Sequence, residues 1–133
     1  MKQIAQTEVV STDADYRHDI RSGRHSLIAD EPAHAGGADA GPAPYELLLA
    51  SLGACTAITL RMYAQRKQWA LGRLRVELQL LKNKEGETRI ERRLSSDAAL
   101  DETQWQRLLE IAEKTPVTLT LKSGATIATS LKR

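Results

Sequence analysis

The chain has 133 residues, enough for one domain with a hydrophobic core, and its 41% hydrophobic and 27% charged residues are typical of a soluble globular protein. The net charge is only +2, with basic and acidic residues interleaved, which argues against nucleic-acid binding. The single cysteine, Cys55, excludes an internal disulfide, and the first residues lack the apolar core of a secretory signal. We therefore predict a single cytoplasmic domain spanning residues 1–133.

The first third of the chain predicts three strands and a long loop. Residues 3–10 are typical of a first strand, and residues 16–21 and 24–29 alternate around a Ser22-Gly23 turn, which indicates a hairpin. The loop at residues 30–44 is rich in Gly, Ala and Pro and has no periodicity. Loops of this length tend to be functional or mobile.

Residues 44–67 are the strongest helix candidate, and Pro44 suits a first helical turn. The segment is apolar on almost every side as far as Leu60, so its first four turns are expected to be buried. The uncharged run Leu47–Leu60 is shorter than the roughly 20 apolar residues of a membrane-spanning helix. We therefore expect a core helix and no membrane association.

The second half of the chain predicts a further hairpin and a capped helix. Residues 73–80 alternate, a turn lies at residues 84–86, and residues 88–95 return as a partner strand. Asp101 and Gln104 form a capping box, and the helix they begin should end near Lys114, because Pro116 disfavours helical geometry in the residue before it.

The pattern of the last 20 residues is compatible with more than one secondary structure. Residues 117–121 have strand propensity, yet Thr115-Pro116 also resembles the cap and first turn of a helix. Residues 125–131 are expected to form a last strand. The predicted order βββ-α-ββ-α-β is α+β with an antiparallel sheet and a buried central helix. Since one small chain offers few elements to cover that helix, we expect a second subunit to complete the core.

The stretch GPAPYELLLASLGACT resembles the OsmC/Ohr family, named for osmotically induced protein C and organic hydroperoxide resistance. The triplet Arg21-Ser22-Gly23 before a Gly-rich loop, the element order and the C-terminal segment AEKTPVTLTLKSGATIATSL agree with that family. The resemblance covers nearly the whole chain. It implies an intertwined homodimer with active sites at the subunit interface and a reactive cysteine that reduces organic hydroperoxides.

The resemblance also implies roles for individual residues. Cys55 takes the place of the peroxide-attacking cysteine, and Arg21 is the best match for the activating arginine. The orienting glutamate of the hydroperoxidases falls on Tyr45, with Glu46 one residue away, so Glu46 is the candidate. The position of the second, resolving cysteine carries Thr115, and this is the largest departure from the family pattern.

Each of these residues also has a purely structural interpretation. Cysteine in an apolar helix is often simply packed, Arg21 could be a solvated hairpin residue, and Glu46 could be a favourable first-turn charge. Cys55 lies about three turns into its helix, too far for that helix's own dipole to act on it. A reactive Cys55 therefore needs a cation, and Arg21 held by Glu46 is the predicted source.

We predict a thiol-dependent reductase of organic hydroperoxides that uses Cys55 and an external thiol, with no cofactor. One alternative is a non-catalytic member that binds a hydrophobic small molecule in the pocket at the dimer interface. Another is a thiol-dependent hydrolase with His25 as base. The three histidines, His18, His25 and His34, have no metal-ligand spacing, so no metal site is expected.

Overall fold

The computed structural model describes residues 1–133, which form two compact units, Met1–Leu48 and Leu49–Arg133. The elements in chain order are β1 (Thr7–Ser11), β2 (His18–Ser22), β3 (His25–Ala29), a short 3-10 turn (Ala33–Ala35), α1 (Pro44–Lys67), β4 (Leu74–Lys82), β5 (Thr88–Ser96), α2 (Glu102–Ala112) and α3 (Pro116–Ser123). The predicted α+β class with antiparallel sheets is confirmed.

The first unit contains a three-stranded antiparallel sheet in the order β1-β2-β3. Ile20 in the central strand lies opposite Val9 on one side and Leu27 on the other, so these three apolar side chains share one face of the sheet. Gly23 has a φ of 61° and makes the tight turn between β2 and β3, as the Ser22-Gly23 pattern predicted.

The long loop that follows β3 is organised around one buried carboxylate. Asp30 is only 3% exposed, and its oxygens accept backbone N–H groups from Glu31, Ala38 and Ala40 at 2.8–3.2 Å. Its own N–H donates to the carbonyl of Pro42. The hydrogen bond from Ala40, followed by those from Glu31 and Ala38, holds the pKa of Asp30 below its ordinary value against the opposing effect of burial.

We expect Asp30→Asn to lower the urea midpoint at pH 7, because the amide NH₂ would face N–H donors. A carboxyl whose pKa is depressed by folding stabilises the protein above its unfolded-state pKa of about 3.8. That contribution is lost as the pH falls through the lower folded-state value. The difference in urea midpoint between wild type and Asp30→Asn should therefore disappear between pH 5 and the acid limit of folding. The control Asp15→Asn, at an exposed position, should change the urea midpoint little at any pH. A difference that persists unchanged at acid pH would contradict this.

Helix α1 has the predicted bounds, but within one chain it is not buried on every side. Its buried residues are Leu52, Thr56, Leu60 and Ala64, a single stripe at intervals of four. On the opposite face Ile58 is 55% exposed and Met62 is 53% exposed. Burial of the first four turns is thus wrong for the single chain, because no element of the chain covers the second face.

Beyond Leu48, helix α1 packs against the β4–β5 hairpin and α2. Strands β4 and β5 pair antiparallel, with Leu78 opposite Arg92. A side chain at Gly53 would start 2.9 Å from a methyl of Leu78, so the absence of a Cβ lets α1 approach the hairpin closely. Leu60, Ala64, Leu71 and Leu108 form the buried core cluster.

The structure tests the predicted capping box of α2 and the two interpretations of the segment that follows Pro116. The capping box is confirmed: Asp101 accepts from the N–H of Gln104, whose side chain accepts from the N–H of Asp101. The helix ends at Ala112, two residues before the predicted end. Residues 116–123, left open between strand and helix, form α3.

The predicted last strand is wrong, since residues 125–131 have no strand structure and are all exposed. A strand exists only where a neighbour accepts its ladder hydrogen bonds, and residues 125–131 have none in the single chain.

By length and composition α1 could cross a membrane, with a mean hydropathy of 1.5 over its most apolar window. The core helix of a soluble protein meets the same criterion.

Candidate thiol site

Cys55 is a free, half-buried thiol on α1, and its sulfur meets the first turn of α3. The backbone N–H of Val117 donates to Cys55 Sγ over 3.5 Å. Pro116 occupies the first position of α3 and has no N–H, so Val117 carries the first free N–H of that helix. A backbone N–H that has no acceptor within α3 therefore points at the sulfur of Cys55.

This contact gives the sulfur a source of positive potential that the sequence did not reveal. The free N–H groups at a helix N-terminus carry the positive end of the helix dipole, which stabilises negative charge within the first turn. Helix α1 cannot provide this, because Cys55 lies in its middle. Helix α3 can, because its first turn contacts the sulfur.

A largely buried arginine joins the elements around this contact. Arg92, on β5, has a side chain only 12% exposed. Its Nη1 donates to Thr56 Oγ1 and Thr118 Oγ1, both at 2.8 Å, and its Nη2 donates to the carbonyl of Ala112 at 3.0 Å and to Glu113 at 3.1 Å. One guanidinium therefore joins α1, α3 and the end of α2.

The charge of Arg92 is balanced at the surface. Glu113 accepts from Arg92 through Oε2 and from Lys122 Nζ through Oε1 at 2.6 Å. The hydrogen bond from Lys122 is the main reason that the pKa of Glu113 lies below its ordinary value, and Arg92 adds to it while partial burial opposes. Glu113 is therefore ionised at neutral pH and provides a counter-charge for the guanidinium of Arg92.

Thr115, which the sequence resemblance matches to the resolving cysteine, is completely buried and belongs to the same network. Its hydroxyl lies 2.6 Å from that of Thr118, which also donates to the carbonyl of Ala112. Thr115 stands at the N-cap of α3, but its side chain makes no capping hydrogen bond. The predicted N-cap position is confirmed, whereas a capping role of the hydroxyl is wrong.

The other two predicted site residues lie in the first compact unit. Arg21 is an exposed residue of β2, paired with Glu8 and Ser26. Glu46 Oε1 accepts the N–H of Ala43 at 2.8 Å and so closes the start of α1. No hydrogen bond or ion pair joins Arg21 to Glu46, so the assigned roles of both residues remain predictions.

No group of three His, Cys, Asp or Glu side chains is arranged to hold a metal ion. The chemistry that the site offers is that of a thiol beside a helix N-terminus. That arrangement suits a nucleophile that carries negative charge.

The family model described as OsmC-like protein matches residues 36–130, which is most of the chain and includes both Cys55 and α3. The chain belongs to the OsmC-like family.

Solved structures of OsmC-like proteins share this fold. A candidate osmotic stress induced and detoxification response protein from Psychrobacter arcticus 273-4 has a TM-score of 0.77 at 16% identity, with 90% of each chain covered. The organic hydroperoxide resistance protein OsmC of Legionella pneumophila has a TM-score of 0.67 at 16% identity, again with 90% of each chain covered. OhrB of Bacillus subtilis, an organic hydroperoxide resistance protein, has a TM-score of 0.58 at 24% identity, covering 89% of this chain and 90% of its own. No curated protein sequence matches the chain.

Sequence reasoning missed Arg92 in this OsmC-like chain, although a pattern could have found it. Ile90, Arg92 and Leu94 lie on the same half-buried face of β5, with exposed residues between them. A charge in phase with the apolar positions of a strand must find polar partners in the interior. Its partners, Thr56 and Thr118, are distant in sequence and could not be assigned from the pattern.

Proposed function

We propose that this OsmC-like protein is a single-cysteine peroxidase that reduces organic hydroperoxides in the cytoplasm with an external thiol. The observation that carries the proposal is the half-buried sulfur of Cys55 at the first turn of α3, in a family that contains organic hydroperoxide resistance proteins. A thiol needs access to its substrate and stabilisation of negative charge to attack an O–O bond. The sulfur of Cys55 is partly exposed and lies at a helix N-terminus, which supports the proposal.

The proposed reaction has two stages. The Cys55 thiolate attacks one oxygen of the hydroperoxide, the O–O bond breaks, and the departing alkoxide takes a proton to leave as an alcohol. Cys55 is left as a sulfenic acid, having gained one oxygen. One external thiol then forms a mixed disulfide with loss of water, and a second thiol releases Cys55 and leaves as a disulfide.

External reduction is required because Cys55 is the only cysteine. Thr115 has no thiol and its hydroxyl is committed to Thr118. The half-buried sulfur restricts the approach of a reductant, so we expect slow turnover with small dithiols. Without a reductant, the sulfenic acid is open to further oxidation.

Arg21 and Glu46 complete the proposed chemistry. Arginine is always charged and presents several donors, which suits it to hold peroxide oxygens and stabilise a thiolate. A carboxylate such as Glu46 would orient the guanidinium. Both roles rest on the resemblance of the sequence to the family.

We further propose that the working form is a homodimer. The exposed face of α1 carries Ile58 and Met62, and a second copy would remove these side chains from water. The partner would also complete the burial that the composition of α1 predicts.

We expect the wild-type protein with a dithiol to consume cumene hydroperoxide, and Cys55→Ser to lose this activity down to the uncatalysed rate. Serine keeps the size of the side chain but is not a comparable nucleophile. A ferrous-oxidation assay of residual hydroperoxide measures the rate.

Wild-type protein that consumes no hydroperoxide, while folded and with a reduced thiol, would contradict the proposal. It would favour the alternative, a non-catalytic binder of hydrophobic small molecules.

A further inference from the structure

We propose that Arg92 is a positioning residue that holds the first turn of α3 against the sulfur of Cys55; its significance for catalysis rests on the proposed function. Arg92 makes no hydrogen bond to the sulfur of Cys55. It acts on the two segments that meet there. Nothing in the sequence resemblance assigns it a role.

The geometry of the contact supports this role. Cys55 and Val117 make the N–H···S contact, and the residues that immediately follow them, Thr56 and Thr118, both accept from Arg92 Nη1. One nitrogen atom therefore bridges the two backbones one residue beyond the contact on each side. This bridge fixes the offset between α1 and α3 where the N–H meets the sulfur.

Only arginine can make this arrangement. Four of its five N–H groups are used, two on Nη1 and two on Nη2, and they point in directions set by a planar group. Lysine would keep the positive charge, but its single nitrogen could not contact the hydroxyls of Thr56 and Thr118 and the carbonyl of Ala112 in the same geometry. Arg92→Lys thus separates charge from geometry.

The hydroxyl of Thr118 uses its full hydrogen-bonding capacity. Thr118 donates its one proton to the carbonyl of Ala112 and accepts from Arg92, so its remaining lone pair faces Thr115, which must donate. Thr56 donates to the carbonyl of Leu52 and accepts from Arg92. Thr115 therefore has a structural role of its own, because its hydroxyl donates the last hydrogen bond that Thr118 can accept.

The test measures the rate at which iodoacetamide alkylates Cys55 in folded protein at pH 7. Thr118→Val keeps the shape of the side chain and removes the hydroxyl, whereas Thr118→Ser keeps the hydroxyl. Arg92→Lys has a matched control in Arg93→Lys, the next residue on β5, which is exposed. Thermal unfolding of every variant reports stability separately.

We expect Thr118→Val and Arg92→Lys to react about three times more slowly than wild type, the size of a helix-terminus effect on a charge. Thr118→Ser and Arg93→Lys should react at the wild-type rate. A slower rate is informative because simple loosening of the structure would expose the sulfur and speed alkylation.

Unchanged or faster alkylation in both Thr118→Val and Arg92→Lys would overturn the proposal. So would equal slowing in Thr118→Ser and Thr118→Val, since the rate would then follow packing. Iodoacetamide requires no hydroperoxide, so this result decides the role of Arg92 even if the wild-type protein proves unable to consume hydroperoxides.

Discussion

Ile58→Asp is expected to convert the proposed homodimer into monomers. Ile58 lies on the uncovered face of α1, is 55% exposed in the single chain and is not part of the buried core cluster. In a dimer each new carboxylate would be buried without a partner. We expect a cost of at least about 3 kcal/mol, or about two orders of magnitude in Kd.

Sedimentation velocity across micromolar concentrations measures this shift. Thr103→Asp is the matched control, because it adds the same charge at an exposed position in the first turn of α2, where negative charge is favourable. Wild-type protein that sediments as a folded monomer would contradict the dimer. An Ile58→Asp protein that remains as dimeric as wild type would show that the interface lies elsewhere.

Thr115→Cys is expected to turn the single-cysteine protein into one that forms an internal disulfide with Cys55. Residue 115 comes two residues before Val117, whose N–H contacts the Cys55 sulfur. A disulfide forms if the two Cα atoms lie within about 7 Å. The new thiol would attack the sulfenic acid and release water, so one equivalent of cumene hydroperoxide should remove two hydrogens from the protein mass.

The same substitution should lower stability before oxidation. Removing the Thr115 hydroxyl takes a hydrogen bond from buried Thr118, which costs about 1 kcal/mol. Thr115→Ser is the control, since it keeps the hydroxyl and adds no thiol. A Thr115→Cys protein that gains oxygen on Cys55 and forms no disulfide would contradict the match to the resolving position.

The elements with regular patterns were predictable from the sequence. Alternation identified the hairpin around Gly23 and strand β4, a turn signal placed its partner β5, and the Asp101–Gln104 capping box fixed the start of α2. These features depend on residues close in the chain. Local spacing is therefore enough to specify them.

The errors arise where a distant partner decides the structure. Residues 125–131 have strand propensity but no neighbour in the chain, so no ladder forms. The composition of α1 predicts burial on all sides, whereas the single chain covers one stripe. The composition of a helix indicates which of its faces must be buried. It does not indicate whether the residues that bury them belong to the same chain.

The site could be predicted only in part. Cys55 followed from the family motif around it, and Thr115 from its position before Pro116. The N–H of Val117 and the guanidinium of Arg92 reach the site across 62 and 36 residues of chain respectively, through contacts that no local pattern encodes. The first turn of α3 is a source of positive potential at the sulfur, whereas the sequence had suggested Arg21 alone.

The proposed attack of Cys55 on organic hydroperoxides can be detected by intact mass spectrometry with dimedone. Dimedone labels sulfenic acids, the state that a single-cysteine site should reach. We predict that one equivalent of cumene hydroperoxide leaves wild-type protein with one dimedone adduct on Cys55, and Cys55→Ser with none. Wild-type protein whose Cys55 stays reduced, unlabelled and fully reactive towards iodoacetamide after this treatment would contradict the proposal.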